Sequence, residues 1–68
     1  MGITDYIRHA RINRAKSLLE STDKPIMRIA ASVGFSDANY FTRSFKEIVG
    51  ITPKQYRKLK KEEQIVNK

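Results

Sequence analysis

Sixty-eight residues can form one small domain at most, with a core small enough to be marginal. Fourteen Lys and Arg against seven Asp and Glu give a formal charge of +7 and a pI near 10.1, a balance that favours nucleic acid or an anionic surface as partner. With no cysteine, one histidine (His9) and no apolar run near the roughly 20 residues of a membrane span, the chain offers no disulfide framework, thiolate metal site or transmembrane helix.

Met1-Gly2-Ile3 precede the first helix signal. Thr4 suits an N-cap and Asp5 the first turn of a helix over about residues 5–20, a stretch free of Gly and Pro. Its apolar stripe takes Ile7, Ala15, Leu18 and Leu19, with Ile12 at the edge. Arg11 falls inside this stripe. Its stem can lie on the core with the head in water, or its charge can pair with a carboxylate such as Asp37. Ser21-Thr22-Asp23-Lys24-Pro25 is a connector of turn and cap residues.

Residues 25–48 carry the most informative pattern. Ile26, Ile29, Ala30 and Val33 follow i, i+3, i+4, i+7 spacing, one apolar stripe on a short helix. Gly34 suits the left-handed backbone that stops it. Ser36 is expected to cap the next helix, with Asp37 in its first turn. That helix buries Phe41, Phe45 and Ile48 and turns Asn39, Thr42, Arg43 and Lys46 outward. A short helix, a glycine turn and a second helix with a polar, basic face form a helix-turn-helix. Gly50 ends the second helix, and Thr52-Pro53-Lys54-Gln55 opens another as a capping box with proline at its first position. This closing helix runs over about 53–61. Tyr56 and Leu59 give it an apolar contact at i and i+3, and Lys54, Arg57, Lys58, Lys60 and Lys61 make it strongly basic. Residues 62–68 are expected to fray. No stretch reads as a strand. The expected fold is all-α: one domain over residues 1–68, with a homeodomain-like three-helix core preceded by a long connecting helix.

Recognition helices read bases with their N-terminal half, which points to Ala38, Asn39, Thr42 and Arg43. Asn pairs bidentately with adenine and Arg with guanine, while Ala or a Thr methyl meets the thymine methyl. Arg43 has an alternative partner in Glu47 one turn on, but such surface pairs contribute only about 0.3–0.5 kcal/mol, and DNA can displace them. Phosphate contacts are expected from Ser36, Tyr40, Lys46, Lys54 and Arg57. The last two lie near the N-terminus of the closing helix, with its backbone N–H groups. Tyr40 has half-buried packing as its other reading. No nucleophile–base pair, phosphate loop or metal cluster is present, so an enzyme is not expected, and no cofactor is implied.

From Asp5 to Arg57 the chain resembles the DNA-binding domain of the AraC/XylS family of bacterial transcription regulators. Tyr6-Ile7, Arg11-Ile12, Ala15 and Leu18-Leu19 are similar to that family's connecting helix. Ile29-Ala30, Gly34-Phe35, Asp37, Tyr40-Phe41, Arg43, Phe45-Lys46, Gly50, Pro53 and Tyr56-Arg57 are similar to its signature. The family's domain joins two helix-turn-helix units by a long helix. The resemblance implies that this chain holds the connecting helix, the second unit and the closing helix, and that any effector ligand is bound by a domain outside it. It also implies sequence-specific binding of double-stranded DNA in the bacterial cytoplasm, often as an activator. A helical module docking on RNA polymerase is the alternative.

Overall fold

A computed structural model describes the backbone of residues 3–66 and the side chains of residues 5–63. Four helices follow one another, α1 (Ile3–Ser21), α2 (Ile26–Ser32), α3 (Ala38–Val49) and α4 (Pro53–Val66), and no strand occurs among the described residues. The all-α expectation and the order of the four helices hold. Two helices are longer than their sequence signals. α1 begins at Ile3, so Thr4 lies within its first turn rather than capping it. α4 continues through the stretch expected to fray as far as Val66, while residues 67–68 lie outside the described residues.

Local chemistry accounts for the breaks between helices. α2 ends in a Schellman arrangement: Phe35 N–H donates to Ala30 O at 2.9 Å and Gly34 N–H to Ala31 O at 3.1 Å. Gly34 sits at φ +98°, a conformation that costs an L side chain energy and a glycine little. α3 ends at Gly50, φ +101°, whose N–H donates to Lys46 O at 2.8 Å. α4 opens with the reciprocal bonds of the capping box, Thr52 N–H to Gln55 Oε1 at 3.0 Å and Gln55 N–H to Thr52 Oγ1 at 3.2 Å. α1 has no glycine at its end. Its last carbonyls accept instead from hydroxyls, Ser21 Oγ to Ser17 O and Thr22 Oγ1 to Leu18 O.

The core lies where α1 meets the other three helices. It comprises Ile12, Ala15, Leu19, Ile29, Ala30, Val33, Phe35, Phe41, Phe45 and Tyr56, with Leu18 and Ile48 partly buried against it. A run of aromatic contacts threads it. Phe35 meets Phe41 edge to face at 5.3 Å, Phe41 meets Phe45 at 5.9 Å and Phe45 meets Tyr56 at 5.5 Å, so the turn, α3 and α4 share one packing chain. Two sequence assignments on α1 are reversed. Ile12, placed at the edge of the stripe, is fully buried, and Ile7, placed in the core, is 40% exposed. Ile7 sits at the open margin of a crevice between α1 and the turn, where Phe35 and Tyr40 do not close over it.

Polar contacts then fix α4 and α3 on α1. The Tyr56 hydroxyl donates to the Glu20 carboxylate. Arg57 donates from Nε to Leu19 O at 3.2 Å and from Nη2 to Thr22 O at 3.1 Å, completing the cap of α1. Lys61 pairs with Asp23 in the connector. On the other side Arg8 pairs with Glu47 of α3 at 2.9 Å.

Candidate nucleic-acid interface

The inner face of α3 is settled by burial. Phe41, Ser44 and Phe45 are at most 1% exposed. A helix turns 100° per residue, so the residues between them face out. Asn39, Arg43 and Lys46 are exposed, and Ala38 and Thr42 are half-buried at the flanks. The four residues expected to read bases therefore lie on one outer surface of α3, concentrated in its first half, with Lys46 one turn further on.

The start of α3 differs from the sequence expectation in one respect. Asp37, not Ser36, is the N-cap: its Oδ1 accepts from Asn39 N–H at 2.9 Å. Ser36 sits one residue earlier in the turn, exposed. The shift follows from backbone conformation, since Asp37 has the extended φ −137°, ψ 121° of a capping residue. Asn39 thus has its backbone N–H engaged and its side chain outward. Thr42 Oγ1 donates to Ala38 O at 2.9 Å, which leaves a methyl and an acceptor oxygen for any base it meets.

Charge on this face is sorted by partners on α1. Glu47 does not hold Arg43: its carboxylate faces Arg8, which also lies 3.5 Å from Ser44 Oγ and 3.7 Å from Asp5. Hydrogen bonding to Glu47 raises the pKa of Arg8 further. The acidic group of α3 is thereby matched within the fold. No ion pair among the described residues involves Arg43 or Lys46.

The residues expected at phosphates divide. Lys54 is exposed in the first turn of α4. The N–H groups around it are largely taken: Thr52 and Gln55 by the capping box and Tyr56 by Thr52 O at 2.9 Å, which leaves Lys54 N–H. Tyr40 is 44% exposed and stacks obliquely on Phe35 at 5.5 Å, so packing and an accessible hydroxyl coexist. Arg57 is drawn inward to the carbonyls that end α1, and the fold accounts for its side chain without DNA.

Arg11 takes neither of its expected roles in full. It pairs with no carboxylate among the described residues, and its guanidinium lies over the turn, where a Cβ on Gly34 would come within 3.0–3.4 Å of it. Arg8 and Arg57 were not singled out as structural by the sequence, because their partners are 35 to 39 residues away. Arg28, exposed on α2, carries no such sequence signal either.

The family model of a helix-turn-helix domain matches residues 1–59. The chain is 44% identical over 57 residues to the HTH-type transcriptional activator RhaR of Yersinia pseudotuberculosis, covering 84% of this chain and 20% of that protein. It is 42% identical over 59 residues to the melibiose operon regulatory protein of Escherichia coli, covering 87% of this chain and 20% of that protein. The chain thus spans about a fifth of the length of the curated relatives it matches. Among solved structures it is similar to the C-terminal domain of the two-component response regulator yesN from Fusobacterium nucleatum, with a TM-score of 0.81 and 46% identity over 84% of this chain and 55% of that one.

Proposed function

This chain belongs to the AraC-type family of helix-turn-helix domains, and from that footing we propose that it binds double-stranded DNA sequence-specifically as part of a transcription regulator, with α3 in the major groove. The observation that carries the reading is the outer face of α3. Asn39, Thr42 and Arg43 stand together there, and its acidic residue Glu47 is neutralised by Arg8. In this reading Ala38, Asn39, Thr42 and Arg43 contact base edges. Ser36, Tyr40, Lys46 and Lys54 contact phosphates on either side of the groove and fix register without reading sequence. The relatives' names, a transcriptional activator and an operon regulatory protein, support placing the domain in a regulator of the activating kind.

Selection from a random duplex pool, followed by titration of the selected site at rising salt, tests the proposal. A defined consensus with affinity falling steeply in salt is expected. Recovery of no consensus, or binding indifferent to salt, contradicts it. A module that docks on RNA polymerase without touching DNA would give the first result.

A further inference from the structure

α2 and the connector before it carry basic side chains that the assignment of contacts to α3 and α4 leaves unused. Lys24 and Arg28 border one shallow recess of about 260 Å³ together with Pro25 and Ser32. Arg28 also borders a second, open recess of about 410 Å³, which it shares with Ser36, Asp37 and Ala38 at the entry to α3. One guanidinium therefore stands between the connector and the first turn of the helix proposed to read bases. Both side chains are exposed, and neither joins an ion pair among the described residues. The acidic residues beside them are engaged elsewhere: Asp23 is held by Lys61, and Asp37 caps α3 through Asn39 N–H. In a helix-turn-helix the first helix crosses the nucleic-acid backbone while the second lies in the groove. A strand passing the start of α3 would meet Arg28 first and then Lys24, in the connector beyond it.

We propose that Lys24 and Arg28 form a phosphate-contacting track over the connector and α2. The proposal rests on the reading of α3 as the groove helix and adds two contacts that fix its register. Both residues act as positioning contacts and carry no sequence preference.

The test uses the 68-residue chain, the selected duplex and a random duplex, with affinity measured from low to physiological salt. Lys24→Ala and Arg28→Ala should each lower the slope of log affinity against log salt by about one unit. They should weaken both duplexes by the same factor. Arg28→Lys should retain the slope, because a point charge suffices for a phosphate. Arg14→Ala removes the same charge from an exposed position of α1 outside both recesses, and should leave the slope nearly unchanged. Alanine is well tolerated in helices, so Arg28→Ala keeps the melt and its binding is measurable. If Arg28→Ala and Lys24→Ala keep the wild-type slope while Arg43→Ala still erodes preference for the selected site, the track is overturned and the groove reading survives. An equal drop in Arg14→Ala reduces the effect to net charge and also overturns the track. Wild-type binding without salt dependence overturns both.

Discussion

Single residues carry much of this fold's specification, and Gly34 is the most constrained of them. Its φ of +98° alone makes a side chain costly, and the Arg11 guanidinium occupies the space a Cβ would need. Gly50 has a similar φ of +101° but open space around it. Gly34→Ala and Gly50→Ala should each cost roughly 1–2 kcal/mol from backbone strain. That corresponds to some 4–8 °C of melting temperature per kcal/mol for a domain this size. Gly34→Ala should melt lower than Gly50→Ala by the cost of moving Arg11, and Arg11→Ala in the Gly34→Ala background should remove that difference. Calorimetry of the four proteins decides it; equal melts for the two glycine variants would show that Arg11 moves without cost. Tyr56 gives a second residue-scale prediction. Burial, helped by its hydrogen bond to the Glu20 carboxylate, pushes its phenol up to about 12. A folded-state value above the unfolded one of about 10 means the folded protein holds this proton more tightly. The stabilisation is complete below pH 10 and is lost as pH rises toward 12, on the order of 3 kcal/mol. Denaturant melts of wild type should weaken over that window more than those of Tyr56→Phe. Parallel pH curves would place the Tyr56 proton in the same environment folded and unfolded.

At the scale of elements, helices and their punctuation were legible in the sequence, and their mutual attachments were not. Gly34, Gly50 and the Thr52–Gln55 box act on backbone groups within a few residues, so local chemistry predicts them. The start of α1 at Ile3 and the end of α4 at Val66 carry no local signal, and the exchange of Ile7 for Ile12 in the core depends on packing between helices. Periodicity gives the direction of a stripe but not which part of it meets a neighbour. The N-cap moved from Ser36 to Asp37 because two adjacent residues both have capping side chains, and only the backbone conformation chooses between them. Arg57 shows the same limit most plainly. Its position beside Lys54 suggests a phosphate, whereas its donors close the end of α1 at Leu19 and Thr22. Arg57→Ala should therefore destabilise the fold by about 1–3 kcal/mol through unsatisfied carbonyls. It should leave the salt slope of DNA binding as in wild type wherever the variant remains folded. A lower slope with an unchanged melt would return Arg57 to the phosphate set. Phe41 and Phe45 join the turn, α3 and α4 in one aromatic run, and truncating either to alanine should cost roughly 3–5 kcal/mol, comparable with the whole stability of a small domain.

For the molecule as a whole, the fold holds one helix against the side of a scaffold and directs its polar face outward. α1 supplies the scaffold: its core residues seat α2 and α3, its end is capped by α4, and Arg8 neutralises the acid on α3. A single helix-turn-helix reaches few bases and few phosphates, so binding near the non-specific range of about 10⁻⁴–10⁻⁶ M at physiological salt is expected of this chain. The outward face of α3 was legible because helical geometry alone sorts its residues from the buried Phe41 and Phe45. The partner of Glu47 was not, since Arg8 is 39 residues away. The most direct test of the central claim, that α3 reads bases while α4 anchors a phosphate, compares Arg43→Ala with Lys54→Ala on selected and random duplexes across salt. Arg43→Ala should lose roughly 1–3 kcal/mol on the selected duplex and much less on the random one. Lys54→Ala should weaken both alike and lower the salt slope by about one unit. Equal losses on the two duplexes from Arg43→Ala would contradict the claim, making Arg43 a phosphate anchor and leaving base reading to Asn39 and Thr42.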